Sequence, residues 1–151
     1  AAGLESAGVN LGLGVDGSAS NDCSNMIQEV RQALLLQRLG ESSQGPTGPL
    51  TSHVDALRWA TRGGANLLHR SDLGRLAPGA AADIALFKLD QPRFSGSDDP
   101  LAALILSGAD QAEAVMINGQ WRVQHGALVN TDLAELMARH QQQATKLWAA
   151  L

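Results

Sequence analysis

Near the start of the chain the apolar run Val9-Asn10-Leu11-Gly12-Leu13-Gly14-Val15 ends on Asp16, and the sequence then turns small and polar through Gly17-Ser18-Ala19-Ser20-Asn21-Asp22. A short apolar run bounded by turn-forming residues predicts a buried strand. A strand that delivers one carboxylate to a glycine- and serine-rich loop is how a parallel α/β barrel presents a catalytic or metal-binding group at its C-terminal rim. Asn25 with Gln28 three residues later has the form of a capping box, and Ile27, Val30 and Leu34 recur at helical spacing, so a helix is predicted over 25–39. The stretch 40–49 contains Gly45-Pro46 and Gly48-Pro49, which neither a helix nor a central strand tolerates, and it reads as a loop. Thr51 and Ser52 then offer N-caps to a helix carrying Val54, Leu57, Trp59 and Ala60, interrupted at Gly63-Gly64 and followed by a shorter helix over about 65–69.

From Asp72 the pattern changes character. Leu73-Gly74-Arg75-Leu76-Ala77-Pro78-Gly79 is turn chemistry, and Asp83 to Leu89 has apolar side chains on both faces, which predicts a buried strand. Ala114 to Ile117 and Gln120 to Gln124 flank Asn118-Gly119, the strongest short signal for a two-residue type I′ hairpin. Alternation of Trp121 and Val123 with Arg122 and Gln124 predicts one covered and one wet face. A further turn at His125-Gly126 leads into a brief strand at Ala127-Leu128-Val129. The chain closes on a long amphipathic helix, capped near Thr131 or Asp132, whose stripe is Leu133, Leu136, Met137, His140, Ala144, Leu147, Trp148 and Leu151. A boundary near residue 72 separates a helix-rich first part from a strand-rich second part.

The 151 residues, 44% of them hydrophobic, suffice for one ordinary domain or for pieces of two. Fifteen acidic against eleven basic residues give a net charge of -4, with no Lys/Arg cluster, so neither nucleic acid nor an acidic membrane surface is an expected partner. No apolar stretch reaches the roughly 20 residues that span a bilayer, and no basic-plus-apolar leader precedes residue 20. The single cysteine, Cys23, removes intramolecular disulfide support and points to a reducing compartment, the cytoplasm by default. With no base beside it, Cys23 reads as a small core-filling thiol and not as a nucleophile. His53 and His69 read as helix-end hydrogen-bonders, and His140 as a packed core or interface residue. Gly12 and Gly14 lack the third glycine of a dinucleotide-binding fingerprint. Asp16-Gly17 is also a good turn dipeptide, and the residues alone leave that reading open.

These stretches, in this order, resemble the C-terminal third of the amidohydrolase superfamily, specifically its cytosine-, guanine- and triazine-type aminohydrolases. Leu13-Gly14-Val15-Asp16-Gly17 is similar to the family's eighth barrel strand. Ala56-Leu57-Arg58-Trp59-Ala60-Thr61 with Gly64-Ala65-Asn66-Leu67-Leu68 resembles its "A-T-x-x-G-A" helical segment. Asp72 to Ile84 is similar to the "G-x-L-x-P-G-x-x-A-D" entry into a small β-sandwich. The wording Val15 to Asp22, with Phe87-Lys88-Leu89-Asp90 and Arg93-Phe94-Ser95-Gly96, most resembles deaminases of 8-oxoguanine and ethylaminohydrolases of hydroxylated triazines.

The resemblance implies an α/β chain: the C-terminal part of a distorted TIM (β/α)8 barrel at 1–71, part of an appended small β-sandwich at 72–130, and a C-terminal helix at 131–151 that packs on the barrel, with a neighbouring subunit in a homo-oligomer as the second option. It implies hydrolytic loss of an amine from a small heteroaromatic substrate, assisted by one divalent metal, zinc first and iron second. Zinc lowers the pKa of bound water towards about 7. Asp16 would ligate the metal and move protons, and Ser18 and Asn21 would contact substrate or buttress Asp16. A complete site also needs an H-x-H pair and two further histidines, yet the four histidines here, His53, His69, His125 and His140, match none of those positions. The chain starts within what reads as the tail of a helix, and it is expected to be the C-terminal portion of a longer enzyme, inactive without its N-terminal part. An interaction module or fold remnant without chemistry is the alternative from another class.

Overall fold

A computed structural model describes residues 2–43 and 50–150. In chain order the elements are α1 (Ala2–Ser6), α2 (Met26–Ser43), α3 (His53–Arg58), a π-helical turn (Trp59–Gly63), α4 (Gly64–Leu67), β1 (Ile84–Leu86), a 3-10 turn (Pro92–Phe94), α5 (Pro100–Leu106), β2 (Ala114–Ile117), β3 (Gln120–Gln124), β4 (Ala127–Leu128) and α6 (Leu133–Trp148). The Gly-Pro pairs of the predicted 40–49 loop, and Leu151 of the terminal stripe, lie outside the described residues.

The helix predicted at 25–39 runs from Met26 to Ser43, past Gly40. A glycine inside a helix costs about 1 kcal/mol relative to alanine, and several bonds around it offset that cost. Glu41 accepts the Thr51 backbone N–H at 2.8 Å and the Thr51 hydroxyl, while Gln37 donates to Glu41 at 3.0 Å one turn earlier. Arg38 Nε donates to the Thr51 carbonyl at 2.8 Å, so buried Thr51 ties the end of α2 to the start of α3. Ser52 caps α3 in a full capping box with Asp55. At α2 the box is half formed: Asn25 Oδ1 accepts from Ile27 and Gln28 N–H, but the Gln28 side chain turns to Cys23 Sγ at 3.1 Å.

These caps make a testable acid-stability statement. The Thr51 hydroxyl, and after it the Thr51 N–H, holds the Glu41 carboxyl below its usual range, and the Ser52 hydroxyl and N–H do the same for Asp55. A carboxylate depressed in the folded state contributes stability that is present above its unfolded pKa and lost as pH falls through the folded one. The urea midpoint of the chain is therefore expected to be flat above about pH 5 and to drop below the ordinary carboxylate range of about 4. Glu41→Gln with Asp55→Asn should make that acid limb shallower without removing it, because Asp72, Asp99, Asp110 and Glu113 are also held below their usual range by their own partners; an unchanged limb in the double variant would mean the caps do not contribute to it.

Gly63-Gly64 does not interrupt the second helix. The chain stays helical from His53 to Leu67 by widening one turn to a π-helical one, in place of the predicted break and separate helix at 65–69. The reason is contact: a Cβ on Gly63 would collide with the Leu11 carbonyl oxygen, so glycine here admits the backbone of 9–15 against the helix. Gly74, at φ 72, meets the same helix from the other side, where a Cβ would lie 2.7 Å from the Thr61 carbonyl oxygen.

The main core gathers Val30 and Leu34 of α2, Ala56 and Trp59 of the second helix and Ile105 of α5, with Leu11 and Leu13 packed against it. A second cluster joins Phe94, Ala103 and Ala109. Helix α5, absent from the sequence-based expectations, is capped by Asp99 with Pro100 at its first turn. The sheet is an antiparallel meander in the order β1-β2-β3-β4. Its tight turn is as predicted, with Asn118 and Gly119 at φ 48 and 75, and it is docked: Asp83 Oδ1 accepts the Asn118 N–H at 2.7 Å and Ala82 O the Gly119 N–H at 3.1 Å.

Several expectations are corrected. Segment 9–15 forms no strand, because a parallel strand exists only through its neighbours and none of the described residues pairs with it. The strand expected over 83–89 is Ile84–Leu86, with Leu86 51% exposed, since β1 is an edge strand without a second covering layer. Trp121, on the inner strand β3, is 41% exposed. Cys23 is exposed and not core-filling. Helix α6, capped by Asp132, buries none of its residues: His140 is exposed with Leu133, Leu136, Met137, Leu147 and Trp148, so it is not a core residue of this chain, and Ala144 is half-buried.

Candidate active site

Asp16 sits where the segment 9–15 gives way to the polar loop. Two contacts fix the segment that carries it: the close approach at Gly63, and a bond from the Leu13 N–H to the Trp59 carbonyl at 3.4 Å on the widened turn. Trp59 is itself buried, and its indole N–H donates to Glu5 of α1 at 3.2 Å. Helical turns widened in this way recur at functional sites, where a carbonyl is redirected to an outside donor. The backbone at Asp16 has φ 60, a left-handed conformation that is uncommon for a residue with a side chain.

The Asp16 side chain is exposed and makes no hydrogen bond or ion pair with any described residue. It lines an open cavity of about 470 Å³, together with Asp22, Cys23, Gln28, Glu29 and Gln32. That volume is in the range of small-molecule sites. Its wall carries three carboxylates and no lysine, arginine or histidine, so it suits a neutral or cationic guest and disfavours an anionic one.

The loop after Asp16 is a compact hydrogen-bonded unit. The Gly17 carbonyl accepts the N–H groups of Ser20 and Asn21, both at 2.9 Å. Asn21 Oδ1 accepts from the N–H of Cys23 at 3.2 Å and of Ser24 at 3.3 Å, and Asn21 Nδ2 donates to Glu29 Oε1 at 2.6 Å. Asn21 thus holds the loop through an Asx-type turn and its bond to Glu29, and it also stands on the cavity wall. Ser18 is exposed and is not on the cavity wall, where Ser20 stands instead.

Sequence reasoning did not single out Glu29 or Gln32, and it read Gln28 only as a capping-box residue. Their signal was the polar face of the first turns of α2, opposite Val30 and Leu34, which reads equally as a solvated helix face. The histidines go elsewhere: none is on the cavity wall, His53 Nε2 pairs with Asp99 at 3.0 Å, and His125 Nδ1 lies 3.5 Å from Glu113.

A catalytic zinc takes about three protein ligands and a water. Among the described residues no three of His, Cys, Asp and Glu gather as a metal-binding group, so these residues do not by themselves fit a whole metal centre; on the cavity wall Asp22, like Asp16, makes no hydrogen bond or ion pair with a described residue.

The chain matches the Amidohydrolase family over residues 1–122. It is 60% identical over 146 residues to an 8-oxoguanine deaminase of Pseudomonas aeruginosa, covering 97% of this chain and 31% of that protein. It is 39% identical over 135 residues to the hydroxydechloroatrazine ethylaminohydrolase of Pseudomonas sp. (strain ADP), covering 88% and 28%. Among solved structures it superposes on atrazine chlorohydrolase from Arthrobacter aurescens TC1 complexed with zinc, at a TM-score of 0.80 and 38% identity over 91% of this chain and 30% of that one. The chain thus spans about a third of the length of the curated relatives it matches.

Proposed function

Because the chain belongs to the amidohydrolase family, with helices and an antiparallel sheet that match the C-terminal portion of that barrel-based fold, we propose that it forms the part of a hydrolytic deaminase that carries Asp16. In this reading 1–71 belongs to the barrel, 72–130 to the sandwich and 131–151 to a helix packed on the barrel. The remaining strands and the histidines are supplied by the rest of the whole protein, and the 151-residue chain alone is inactive. Asp16 is one ligand of a divalent metal, zinc first and iron second, whose other ligands lie outside this chain.

The substrate is an oxidised purine of the 8-oxoguanine type. Water adds to the ring carbon that bears the exocyclic amine, the carbon–nitrogen bond breaks, and the products are a ring carbonyl and ammonia. A carboxylate within hydrogen-bond reach of that water takes its proton and returns it to the departing amine. The observation that carries this reading is the Asp16 carboxylate itself: unpartnered, exposed to a ring-sized cavity, and held on a left-handed backbone by packed neighbours. Backbone conformations of that kind persist where surrounding contacts over-determine them, and they cluster at functional sites.

The likeness to an ethylaminohydrolase favours a second reading, loss of ethylamine from a hydroxylated triazine. One assay separates them. The full-length protein is expected to release ammonia from 8-oxoguanine and no ethylamine from an N-ethyl hydroxytriazine. The opposite pattern establishes the second reading, and release of neither amine by metal-replete protein would leave an interaction module.

A further inference from the structure

We propose that Glu29 is a positioning residue for Asp16, acting through Asn21; this rests on the reading of Asp16 given above. The path is short and continuous. Glu29 Oε1 accepts from Asn21 Nδ2 at 2.6 Å, the Asn21 N–H donates to the Gly17 carbonyl at 2.9 Å, and Gly17 is covalently joined to Asp16. Asn21 is the only half-buried residue between Asp16 and Ser24, the others being exposed, so its side chain is the more enclosed of the two, with Cys23 on Gln28, that fasten this loop to α2. The fastening point is rigid. Glu29 lies on the first turn of α2, whose start is capped by Asn25 and whose next residue, Val30, is fully buried in the main core. A short charge-assisted bond to a residue anchored in this way carries more restraint than the neutral turn bonds around it.

The need for such a restraint follows from Asp16. Its backbone has φ 60, and its side chain has no partner among the described residues to hold it in place. The orientation of the carboxylate is therefore set by the loop behind it. Removing the Glu29 carboxylate leaves Asn21 Nδ2 without its acceptor and frees the loop to shift, and misplacement of a reacting group by about 1 Å costs up to a hundredfold in rate.

The test is a set of variants in the full-length protein, with kcat and KM for ammonia release measured separately. Glu29→Ala is expected to lower kcat by about tenfold to a hundredfold with KM changed less than about threefold, the signature of an interaction expressed in the transition state. Glu29→Gln, whose amide oxygen still accepts from Asn21 Nδ2, should restore most of the rate. Asn21→Ala, which also removes the bonds from the Cys23 and Ser24 N–H groups, should lose at least as much as Glu29→Ala, and the double variant no more than Asn21→Ala alone, because the contact to Glu29 is already gone. An unchanged kcat in Glu29→Ala, a loss confined to KM, additive losses, or failure of Glu29→Gln to recover the rate would each overturn the proposal. Should Glu29→Ala not fold, Asn21→Asp reads the same contact from the loop side by setting two carboxylates against each other, and an unchanged kcat there overturns it equally. Asp16→Asn, run in parallel, separates the two levels: full activity in that variant defeats the reading of Asp16, whereas an inactive Asp16→Asn beside a fully active Glu29→Ala defeats only the positioning role.

Discussion

Asp16→Asn in the full-length protein is expected to lower kcat by about 10³-fold, within the range general acid–base groups contribute, while the melting temperature stays within about 2 °C of the parent, as for surface substitutions away from packed features. The two halves of that expectation have separate causes. An amide of the same shape cannot take up a proton near neutral pH, so the chemistry is lost. The fold is spared because the carboxylate makes no hydrogen bond or ion pair with any described residue and lies open to the cavity. Asparagine is also the apt replacement for the backbone, since after glycine it and aspartate visit the left-handed region most readily. Asp16→Ala should lose at least as much activity and in addition about 1 kcal/mol of stability from placing an ordinary residue at φ 60. A variant that kept even a tenth of the parental rate would exclude Asp16 as the proton carrier. Steady-state ammonia release and a thermal melt on the same preparations supply both readings.

Gly63→Ala is expected to damage stability and activity together, although residue 63 touches no reacting group. The added methyl would collide with the Leu11 carbonyl oxygen, a backbone atom that cannot rotate away as a side chain would. Either the helix or the segment 9–15 must withdraw. Overpacking of this kind costs about 3 kcal/mol. Withdrawal also stretches the 3.4 Å bond from Leu13 N–H to the Trp59 carbonyl, three residues before Asp16, so the carboxylate moves with it. A fall in kcat of about a hundredfold should accompany the stability loss, on the scale of a misplaced catalytic group. Equal stability of Gly63→Ala and parent in urea would show that the close approach is not a constraint. Gly64→Ala is the control, because a Cβ there meets nothing within 4 Å.

Features decided by neighbours in the chain were legible in the sequence. Asn118-Gly119 specified its turn because few other pairs accept two positive φ angles in succession, and Thr51-Ser52 marked a helix start because an N-cap bond closes within four residues, Ser52 being the one that caps. The order of the motifs around Asp16, Thr61 and Asp83 points to the family from sequence alone, and contacts in the fold give those motifs physical content. The Thr61 carbonyl faces Gly74, and the Asp83 carboxylate caps the hairpin turn.

What was not legible depends on distant partners. The run 9–15 has a strand's composition, but its ladder requires strands that none of the described residues provides, so it is held instead by a helix backbone. Gly63-Gly64 looked like a break because glycine's weak helix propensity is visible in sequence and the approach of Leu11 is not. Helix α5 is short, and its cap Asp99 with Pro100 reads equally as a turn. Glu29 passed unnoticed because its partner lies eight residues back, across a loop whose path composition does not fix.

The widened turn at Trp59–Gly63 has a consequence for chain length. One additional residue in a helical turn resets the phase of everything after it by about 100°. Leu67, whose Cδ1 lies 2.6 Å from where a Gly12 Cβ would stand, occupies that place only because the phase has been reset. Deleting any single residue from 59–63 would restore a regular spiral and swing Leu67 away from Gly12. In this stretch the count of residues, together with the missing side chain at Gly63, aims the helix at the segment that ends in Asp16.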